Sequence, residues 1–596
     1  MDSFTIHAIV QELSEKLVRG SLSKISQPAL LDLLLTIRAR GISYDLLLSA
    51  HPQYARLHLT QEKPPALAEP PTFCQILRSL LIGSEILSIT QPGVERIVKI
   101  SLGKEGVRGR VAHYDLLIEI MGKHSNIILV DEAGEILDSM KHISASLSRK
   151  RQVLRGLPYT LPPSQEKYDP LSISRATFYA LFQEDDFKRP LGEKLLKEIT
   201  GLSPILTEEI AYRGKAEANR SADFKLYHLW KAFDEVIACW KERRFQPLIL
   251  RKEGAKPKVV LSSVSLMHLT DSRILSFSTM NEAADLFYHE LIEKERLRSA
   301  KESLRGVVSQ HLTKALKKRD HILHDLQEAE HLEEYRLKGE FILANLESVK
   351  KGMREVVLKR FEAEEKIAID LDPRFDGVTN AQRFFKRYRK AKRALTLVQE
   401  RLEVVRQEID YLQGADLALE VANSFEDLDQ IRGELREEGY LEEESRKRKK
   451  RKGSGKEKKA QEKKTQRKVS LYRKFLSPEG REFFIGKSNK GNDYIVQRLA
   501  SDHDLWFHAR GIPGAHVILK RAQRDDEVSQ EEIEGGARLA AYFSKGREAT
   551  NVPVDYTRRQ YVRKIKGGKP GAVTFSHEKT LSVSPEIGDF QEVELL

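Results

Sequence analysis

Apolar and polar positions recur along the chain with distinct spacings, and each spacing predicts a different kind of element. Residues 4–17 place apolar side chains near the helical spacing, which predicts an amphipathic opening helix. Later segments rich in Ile, Val and Leu are broken by Gly and Pro, a pattern typical of strands. These segments are 85–100, 107–120 and 124–131. Together they predict an α+β domain that ends near the Pro-rich stretch 161–163.

The middle of the chain has a mainly helical pattern. Residues 170–245 predict helices, and short strands return between 246 and 280. Over 280–346 and again over 379–440, Glu, Lys, Arg, Leu and Ala dominate. Each stretch holds roughly 60 residues and would extend about 90 Å as a helix. Two such helices in succession predict a long antiparallel coiled-coil arm with a non-helical tip at 347–376.

A strongly basic segment separates this arm from a final compact module. Residues 446–468 contain fourteen basic and two acidic residues and no large apolar side chain. Such a segment cannot bury a core, so we expect it to be disordered in isolation, as a solvated linker, an RNA-binding tether or both. From 469 onwards the pattern alternates and is interrupted by Pro478-Glu479-Gly480, which predicts a β-hairpin at the start of an α/β module.

Length and composition limit the class of protein. At 596 residues the chain is too long for one core, and it should divide into about three to five domains. The predicted regions are 1–165, 166–245, 246–280 returning to the first body, 281–441, 442–468 and 469–596. The net charge of +13 favours a polyanionic partner, although a hydrated protein rich in exposed helix would have the same balance.

Cysteine usage and the first residues point to a cytoplasmic protein without a metal site of the zinc-finger kind. Cys74 and Cys239 are the only cysteines, so neither a disulfide framework nor a four-cysteine zinc site is expected. The opening segment carries acidic residues and no sustained apolar run, which disfavours a signal peptide. No apolar run reaches the roughly 18 residues of a membrane span, so no membrane partner is expected.

Residues 193–214 predict a helix-hairpin-helix with Gly201 at its turn. Such a hairpin presents the backbone N–H groups of its second helix to a phosphate. The usual second glycine is replaced by Ser203-Pro204, and Pro204 would suit the first turn of a helix. An ordinary helical hairpin explains the pattern nearly as well.

Two polar turns in the first domain are candidate binding loops. Glu95 and Arg96 follow Pro92-Gly93 and open a predicted strand, on which alternation would place them on opposite faces. Residues 117–131 form a strand that meets Gly122 and then a polar turn before another strand. The structural alternative for Glu95 and Arg96 is an ion pair at a sheet edge. The structural alternative for the turn within 117–131 is a plain surface loop.

The terminal module combines one Trp with His, Arg and Lys. His503, His508 and His516 lack the spacing of a metal-ligand set, so no metal is expected. Trp506 would share a strand face with His508 and could either stack on an RNA base or belong to the core. Nearby basic side chains supply phosphate partners, and the Gly-rich stretch 566–575 would let the backbone approach RNA closely.

These motifs together resemble the NFACT family over essentially the whole chain. The resemblance rests on residues 492–519, GGARLAAYFSKGRE at 535–548, VDYT at 554–557, the turns at 95–96 and 119–126, and Asp372-Pro373 with Asn380-Ala381-Gln382. Family members work on stalled large ribosomal subunits. The resemblance implies a first domain like the formamidopyrimidine-DNA glycosylases, but this chain lacks their N-terminal proline nucleophile and zinc finger. Base excision is therefore not expected.

The resemblance also implies site residues. Where this chain has Glu95 the family usually has Asp, which makes the role of Arg96 the more secure of the pair. The implied tRNA contacts are Glu95, Arg96, Glu119, Ile120, Met121, Lys123 and His124. The implied rRNA contacts are Trp506, His508, Arg510, Arg558, Arg563, Lys564, Lys566 and Lys569. The basic arm tip comprises Lys350, Lys351, Arg354, Lys359 and Arg360.

By resemblance, we expect a ribosome quality-control factor. It would bind 50S subunits that still hold peptidyl-tRNA, recruit alanyl-tRNA and support alanine tailing without mRNA, with the ribosomal stalk base as a further partner. The ribosome would make the bonds, so neither catalytic residues nor a cofactor is expected. The alternatives are a surface adhesin, since relatives carry a fibronectin-binding name, and an RNA-binding scaffold without tailing activity.

Overall fold

In the computed structural model the chain forms two compact units, Met1–Lys294 and Glu295–Leu596. The residues described are 1–106, 110–163, 166–183, 186–187, 189–215, 221–252, 254, 257–329, 332–360, 363–442, 471–523 and 526–593. The basic segment predicted at 446–468 lies outside them. The fold is a mixed α/β, multidomain one with antiparallel sheets; the finer division into six regions stays a prediction.

A nine-stranded antiparallel sheet with two helices forms the body of the first unit. The strand order is β4-β3-β2-β1-β5-β6-β7-β8-β9. The strands are β1 (Ser21–Ala29), β2 (Asp32–Ala39), β3 (Ile42–Ser49), β4 (Arg56–Thr60), β5 (Glu85–Thr90), β6 (Ile97–Glu105), β7 (Val111–Glu119), β8 (Asn126–Asp131) and β9 (Ile136–Ser139). The helices that pack against this sheet are α1 (Ser3–Leu17) and α2 (Thr72–Leu81).

The opening helix confirms the periodicity of the sequence. Its fully buried residues Ile6, Ile9, Leu13 and Leu17 recur every three or four positions, so they lie on one face. They pack in one core with the inner face of the sheet. The strands predicted between 85 and 131 are also present. Strands β1–β4 were not predicted, although Arg40 and Gly41 at the β2–β3 turn both adopt positive φ, as a tight hairpin requires.

The predicted helical region and the strands after it build a second core in the first unit. The helices are α3 (Arg175–Ala180), α4 (Leu191–Glu198), α5 (Pro204–Arg213) and α6 (Ala222–Lys241). The strands β10 (Leu248–Lys252), β11 (Lys258–Ser262) and β12 (Ser272–Ser276) form a three-stranded sheet. Ile249 packs with the first core and Leu250 with the second, so this sheet joins the two.

The α4–α5 hairpin depends on a close approach at Gly201. Gly201 has φ +73, and a Cβ built on it would lie 2.7 Å from the Cβ of Val94. Ser203 caps α5 and Pro204 occupies its first turn, which confirms the expectation for Pro204. The hairpin turn therefore packs directly against the loop that carries Glu95 and Arg96.

Long helices begin the second unit. The helices are α7 (Met280–Ala329), whose first turns pack in the first unit, α8 (Leu332–Ala344), α9 (Gly377–Val421) and α10 (Phe425–Glu437). Arg305 pairs with Asp416, and the Lys301 ammonium donates to the Glu420 carbonyl, so α7 and α9 run antiparallel. A hairpin of β13 (Glu355–Arg360) and β14 (Ala363–Asp370) lies between α8 and α9. It falls within 347–376, where the sequence predicted a non-helical tip. A coiled-coil arm stays a prediction.

The last part of the second unit is a seven-stranded antiparallel sheet of order β22-β19-β17-β18-β16-β15-β23. The strands are β15 (Tyr472–Leu476), β16 (Glu482–Gly486), β17 (Leu505–Ala509), β18 (Val517–Leu519), β19 (Val552–Arg558), β22 (Lys579–Val583) and β23 (Gln591–Val593). A two-stranded sheet of β20 (Val562–Lys564) and β21 (Val573–Phe575) and the helices α11 (Asn489–Tyr494) and α12 (Gln530–Tyr542) complete it. The hairpin predicted at Pro478–Gly480 is confirmed, and residues 489–499 are helical.

Among the described residues, no helix has the length and apolar character needed to cross a membrane.

We expect Gly201→Ala to loosen the α4–α5 hairpin. The left-handed backbone costs about 1–2 kcal/mol for Ala, and the contact with Val94 adds about 1–3 kcal/mol of overpacking. The measurement is the free energy of local opening, from hydrogen exchange of peptides covering 191–213. Gly134→Ala is the matched control, because Gly134 has φ +81 and open space around its Cβ position. Equal effects of the two substitutions at their own sites would contradict the packing argument.

Candidate functional site

Distant segments of the first unit meet around one cavity of about 650 Å³. The cavity is lined by the first residues of the chain, by Glu95 and Arg96, by Met121 and by the α4–α5 turn. The two predicted binding turns and the predicted helix-hairpin-helix therefore face one space. Sequence spacing alone could not show this convergence, because it depends on the tertiary packing of the two cores.

Glu95 and Arg96 lie in the loop before β6, and both side chains are exposed. The prediction that they open the strand on opposite faces is wrong, since β6 begins at Ile97. The loop is fixed through its backbone. The Arg96 carbonyl accepts from Ile120 N at 2.8 Å, and the Glu95 carbonyl accepts from Gln91 Nε2 at 2.7 Å. Both side chains are thus exposed on a loop that is held through its backbone.

Glu119 and Ile120 are buried, with 1% and 2% of their surface exposed. The Glu119 carboxylate accepts two hydrogen bonds from Arg151, at 2.6 and 3.0 Å, and one from the Tyr159 hydroxyl at 2.9 Å. A buried bidentate pair of this kind is costly to break, because it leaves an unpaired charge. Neither residue reaches the surface here, so both support the loop and their predicted contact with tRNA stays a prediction.

Met121 lines the cavity, and the exposed Lys123 and His124 follow it on a 3-10 turn, Gly122–His124. Hydrogen bonds of Ser125 and Asn126 fix this turn. The Met121 N–H donates to Ser125 Oγ at 2.8 Å, and Asn126 exchanges hydrogen bonds with the Lys141 backbone at 2.8 and 2.9 Å. The resemblance singled out Ser125 and Asn126, and the structure gives them a positioning role.

Lys141 is a residue that the sequence reasoning missed. Its ammonium donates to the Ala50 carbonyl at 2.6 Å and to the Ser125 carbonyl at 2.8 Å. Burial lowers the pKa of this ammonium. Nothing in the local pattern near Lys141 indicates this role, because its partners come from two other parts of the chain.

The N-terminus of α5 is engaged by Asp2. The Ser203 hydroxyl donates to Asp2 Oδ2 at 2.9 Å, and Asp2 Oδ1 accepts from Thr5 N at 2.9 Å. A carboxylate at two helix N-termini is favourable, since both helix dipoles present positive ends to it. The N–H groups that the sequence assigned to a phosphate thus already have an acidic neighbour, and phosphate binding there stays a prediction.

The terminal module contains a second cavity, of about 460 Å³. Its walls are the β17 residues Trp506 and His508, the turn that leads to His516, the β20–β21 hairpin and the end of α9. Trp506 is completely buried. Its ring is parallel to that of His508, with centroids 5.8 Å apart, and perpendicular to that of His516 at 5.3 Å. Trp506 packs in a core with Phe484 and Ile518, as the core alternative expected, and its contact with RNA stays a prediction.

Both histidines of this cavity are held neutral. Burial lowers the pKa of His508 to about 4, although the Gly514 backbone and Asp555 oppose this shift. Burial also holds the pKa of His516 well below its ordinary value, and His508 adds to the effect. Within the described residues, no group of three or more His, Cys, Asp or Glu side chains could hold a metal ion.

Three of the predicted cationic residues of the module are paired with carboxylates. Lys564 pairs with Asp493 at 2.5 Å, Arg510 lies 3.7 Å from Asp555, and Lys569 pairs with Glu438 at 2.8 Å while lying over the Tyr411 and Tyr440 rings. The exposed cations are Arg510, Arg558, Arg563, Lys564 and Lys566. At the arm tip Lys350, Lys351 and Arg354 are exposed, and the side chains of Lys359 and Arg360 lie outside the described residues.

Comparison with known proteins gives matches over the whole chain. The model "NFACT N-terminal and middle domains" matches residues 2–454, and "NFACT protein RNA binding domain" matches residues 471–577. The chain is 34% identical over 595 residues to "Rqc2 homolog RqcH" of Bacillus subtilis, covering 98% of both chains. It is 31% identical over 588 residues to "Rqc2 homolog RqcH" of Streptococcus pneumoniae, again covering 98% of both.

More distant matches cover parts of the chain. "Ribosome quality control complex subunit NEMF" of Mus musculus is 24% identical over 331 residues, which are 50% of this chain and 29% of that protein. The crystal structure of the fibrinogen binding protein from Staphylococcus aureus is 30% identical, with a TM-score of 0.41, and covers 48% of this chain and 98% of its own.

We expect the terminal module to lose stability as the pH falls from 6.5 towards 4. The folded pKa of His508 is about 4, whereas a free histidine titrates near about 6.5. The unfolded chain therefore binds protons that the folded chain does not, so stability is full above about pH 6.5 and declines below it. Together with His516, the loss should be about 1–3 kcal/mol.

The measurement is the free energy of opening of peptides covering 505–519, from hydrogen exchange corrected for intrinsic rates. His516→Asn should flatten the pH dependence. His503→Asn is the matched control and should preserve it, because His503 is half-exposed on the turn before β17. An identical slope in the chain and in His516→Asn would show that this histidine is not the group responsible.

Proposed function

The chain belongs to the NFACT family, and from that premise we propose that it acts in ribosome quality control. It binds large ribosomal subunits that still carry peptidyl-tRNA, recruits alanyl-tRNA and supports addition of C-terminal alanine without mRNA. The similarity to RqcH proteins over 98% of both chains supports the role in quality control. The match of residues 471–577 to an RNA-binding domain supports contact with ribosomal RNA.

The observation that carries the tRNA part of this proposal is the cavity of the first unit. An exposed Arg96 stands at its lining, on a loop whose backbone is tied to Ile120 and packed on the α4–α5 turn. Arginine on a fixed support suits bidentate recognition of phosphate. The cavity of about 650 Å³ is the size of a small-ligand pocket. It would admit about one nucleotide, while the rest of the tRNA would lie over Lys123 and His124.

In this proposal the chain positions tRNA and the ribosome makes the peptide bonds. Glu119, Arg151 and Tyr159 form a closed hydrogen-bonded group beneath the loop, which suits a support and not a reacting centre. A rigid support makes the placement of a bound tRNA reproducible, and positioning alone contributes strongly to the rate of a reaction. A glycosylase-like origin of the first unit would account for a cavity that does not carry out base excision.

The second unit would bind the ribosome. Exposed Arg510, Arg558, Arg563 and Lys566 can neutralise rRNA phosphates, and such contacts release counterions. The hairpin of β13 and β14, with exposed Lys350, Lys351 and Arg354 beside it, would contact the stalk base as the end of a coiled-coil arm.

We expect Arg96→Ala to abolish alanine tails on a stalled reporter while the protein still pellets with 50S subunits. Loss of a charge-assisted hydrogen bond to phosphate costs about 1.5–3 kcal/mol, or roughly 10- to 100-fold in tRNA affinity. The tails are measured by mass spectrometry of the reporter. Arg38→Ala is the matched control, since Arg38 is exposed on β2 and does not line the cavity. Unchanged tails in Arg96→Ala would refute the tRNA role; loss of 50S pelleting as well would show that the substitution is not specific.

Cell fractionation separates this proposal from the adhesin alternative. We expect most of the protein to sediment with 50S particles at low salt and to dissociate as salt rises, because phosphate contacts dominate the affinity. Each phosphate contact should add roughly 0.7–0.9 to the log–log slope of binding against salt. A pool confined to the cell surface, or a slope near zero, would contradict the proposal.

A further inference from the structure

The cavity of the terminal module has a volume of about 460 Å³ and is lined by aromatic, polar and charged residues. Its lining includes the aromatic residues Trp506, His508, His516 and Phe575 and the turn Gly511–Gly514. Phe575 is 36% exposed, with its ring 4.9 Å from that of Trp506. A cavity of this size that combines aromatic rings with hydrogen-bonding groups is a candidate ligand site.

Three buried polar atoms in these walls have no hydrogen-bond partner within the described residues: the Tyr411 hydroxyl and two ring nitrogens. The ring nitrogens are the indole Nε1 of Trp506 and Nδ1 of His516. The two side chains are 0% and 3% exposed, and both line the cavity. Buried polar groups in native proteins nearly always have a partner, so unpartnered ring nitrogens in residues that line a cavity favour a ligand with hydrogen-bonding groups. A molecule seated in the cavity would lie against both residues.

The charge of the lining limits what that molecule can be. His508 and His516 are neutral near pH 7, because burial lowers the pKa of both, and each then offers one N–H donor and one nitrogen acceptor. The lining also includes the carboxylates of Glu403, Asp410 and Asp555. A phosphate inside would meet these carboxylates without a compensating histidinium. The interior thus suits a neutral group that both donates and accepts hydrogen bonds.

Four cations lie in this lining or on the adjoining hairpin. Arg510 and Lys569 belong to the lining and are paired with Asp555 and Glu438, whereas the exposed Arg563 and Lys566 lie on the same β20–β21 hairpin as Phe575. Exposed cations beside a cavity with neutral aromatic rings and paired cations in its lining fit a planar heteroaromatic group carried on an anionic chain. Unstacked bases of RNA are recognised in this way, by aromatic contact and by hydrogen bonds to their edges, while cations hold the backbone.

We propose that this cavity receives a single unpaired nucleobase of the RNA that the terminal module binds. The indole N–H of Trp506 and the imidazole of His516 bond its edge, and Phe575 covers its face. The phosphates on either side remain outside, near Arg510, Arg563 and Lys566. The inference rests on the proposed function, because it presupposes that the module contacts ribosomal RNA, and it adds the chemical group that is recognised.

The test uses the full chain and its three tryptophans, and the measurement is the ¹H–¹⁵N NMR signal of each indole N–H. Trp506→Phe identifies the signal of Trp506. The probes are the 5′-monophosphates of adenosine, guanosine, cytidine and uridine, with ribose 5-phosphate as the ligand that lacks a base and tri-alanine as a peptide. We expect at least one nucleotide to shift the Trp506 signal at millimolar concentration, and ribose 5-phosphate and tri-alanine to leave it unchanged.

Variants then assign the contact. Loss of one hydrogen bond or of one stacking face should weaken nucleotide binding roughly three- to tenfold, so we expect this of His516→Gln and of Phe575→Leu. Phe575→Leu keeps the proposal testable if the buried His516 proves necessary for folding. Thr574→Ala is the matched control, because Thr574 is exposed on the same strand and does not line the cavity. Equal binding by Phe575→Leu and Thr574→Ala would overturn the proposal.

The remaining outcomes are equally decisive. No shift with any nucleotide would overturn the proposal. An equal shift with ribose 5-phosphate would also overturn it, because it would indicate phosphate recognition. A shift with tri-alanine alone would overturn it too, because it would indicate a peptide site. Sedimentation with 50S particles is measured on the same samples. If the chain pellets with 50S but no nucleotide shifts Trp506, the base pocket is wrong and the ribosomal role stands. If neither occurs, the ribosomal role fails as well.

Discussion

The carboxylate of Asp2 holds together parts of the first unit that are far apart in the chain. One oxygen accepts from the backbone of Thr5 and closes the first turn of α1, and the other accepts from Ser203, 201 residues away, at the cap of α5. Beside it the Ser3 hydroxyl donates to the Val94 carbonyl. These partly buried hydrogen bonds set the distance between the opening helix, the Glu95–Arg96 loop and the hairpin, and thus the walls of the cavity. The sheet needs none of them, but the candidate site needs all of them.

The terminal module is fixed to α9 and α10 by similar polar contacts. Asn489 donates to the Tyr411 carbonyl at 3.0 Å and to the buried Glu434 at 3.2 Å, and Lys487 pairs with the buried Asp427 at 2.9 Å. Burial raises the pKa of Glu434, against the hydrogen bonds of its neighbours. The lining of each cavity includes cationic side chains, among them Arg96 in the first unit and Arg510 and Lys569 in the second.

The sequence predicted the elements better than the site. Helical spacing located α1 and α4–α6, and turn chemistry located the β15–β16 hairpin and Pro204 in the first turn of α5, because these signals are local. The strands between 21 and 60 were missed. Glu119 was expected at the surface, yet its partners Arg151 and Tyr159 lie 32 and 40 residues further on, where no local pattern indicates them. The contact of Trp506 with His516 likewise depends on a turn that brings β18 back onto β17.

The order of strands in the large sheet has a consequence for how the chain acquires its shape during synthesis. Every neighbour pair among its described strands is sequential except β1 with β5, so the sheet is assembled almost wholly from hairpins. Contacts between residues close in sequence form early, since little loop entropy is lost in making them. The pairing of Asp2 with Ser203 is of the opposite kind and must wait for α5 to leave the ribosome. A nascent chain could therefore complete this sheet before the hairpin that closes the cavity of the first unit has been synthesised.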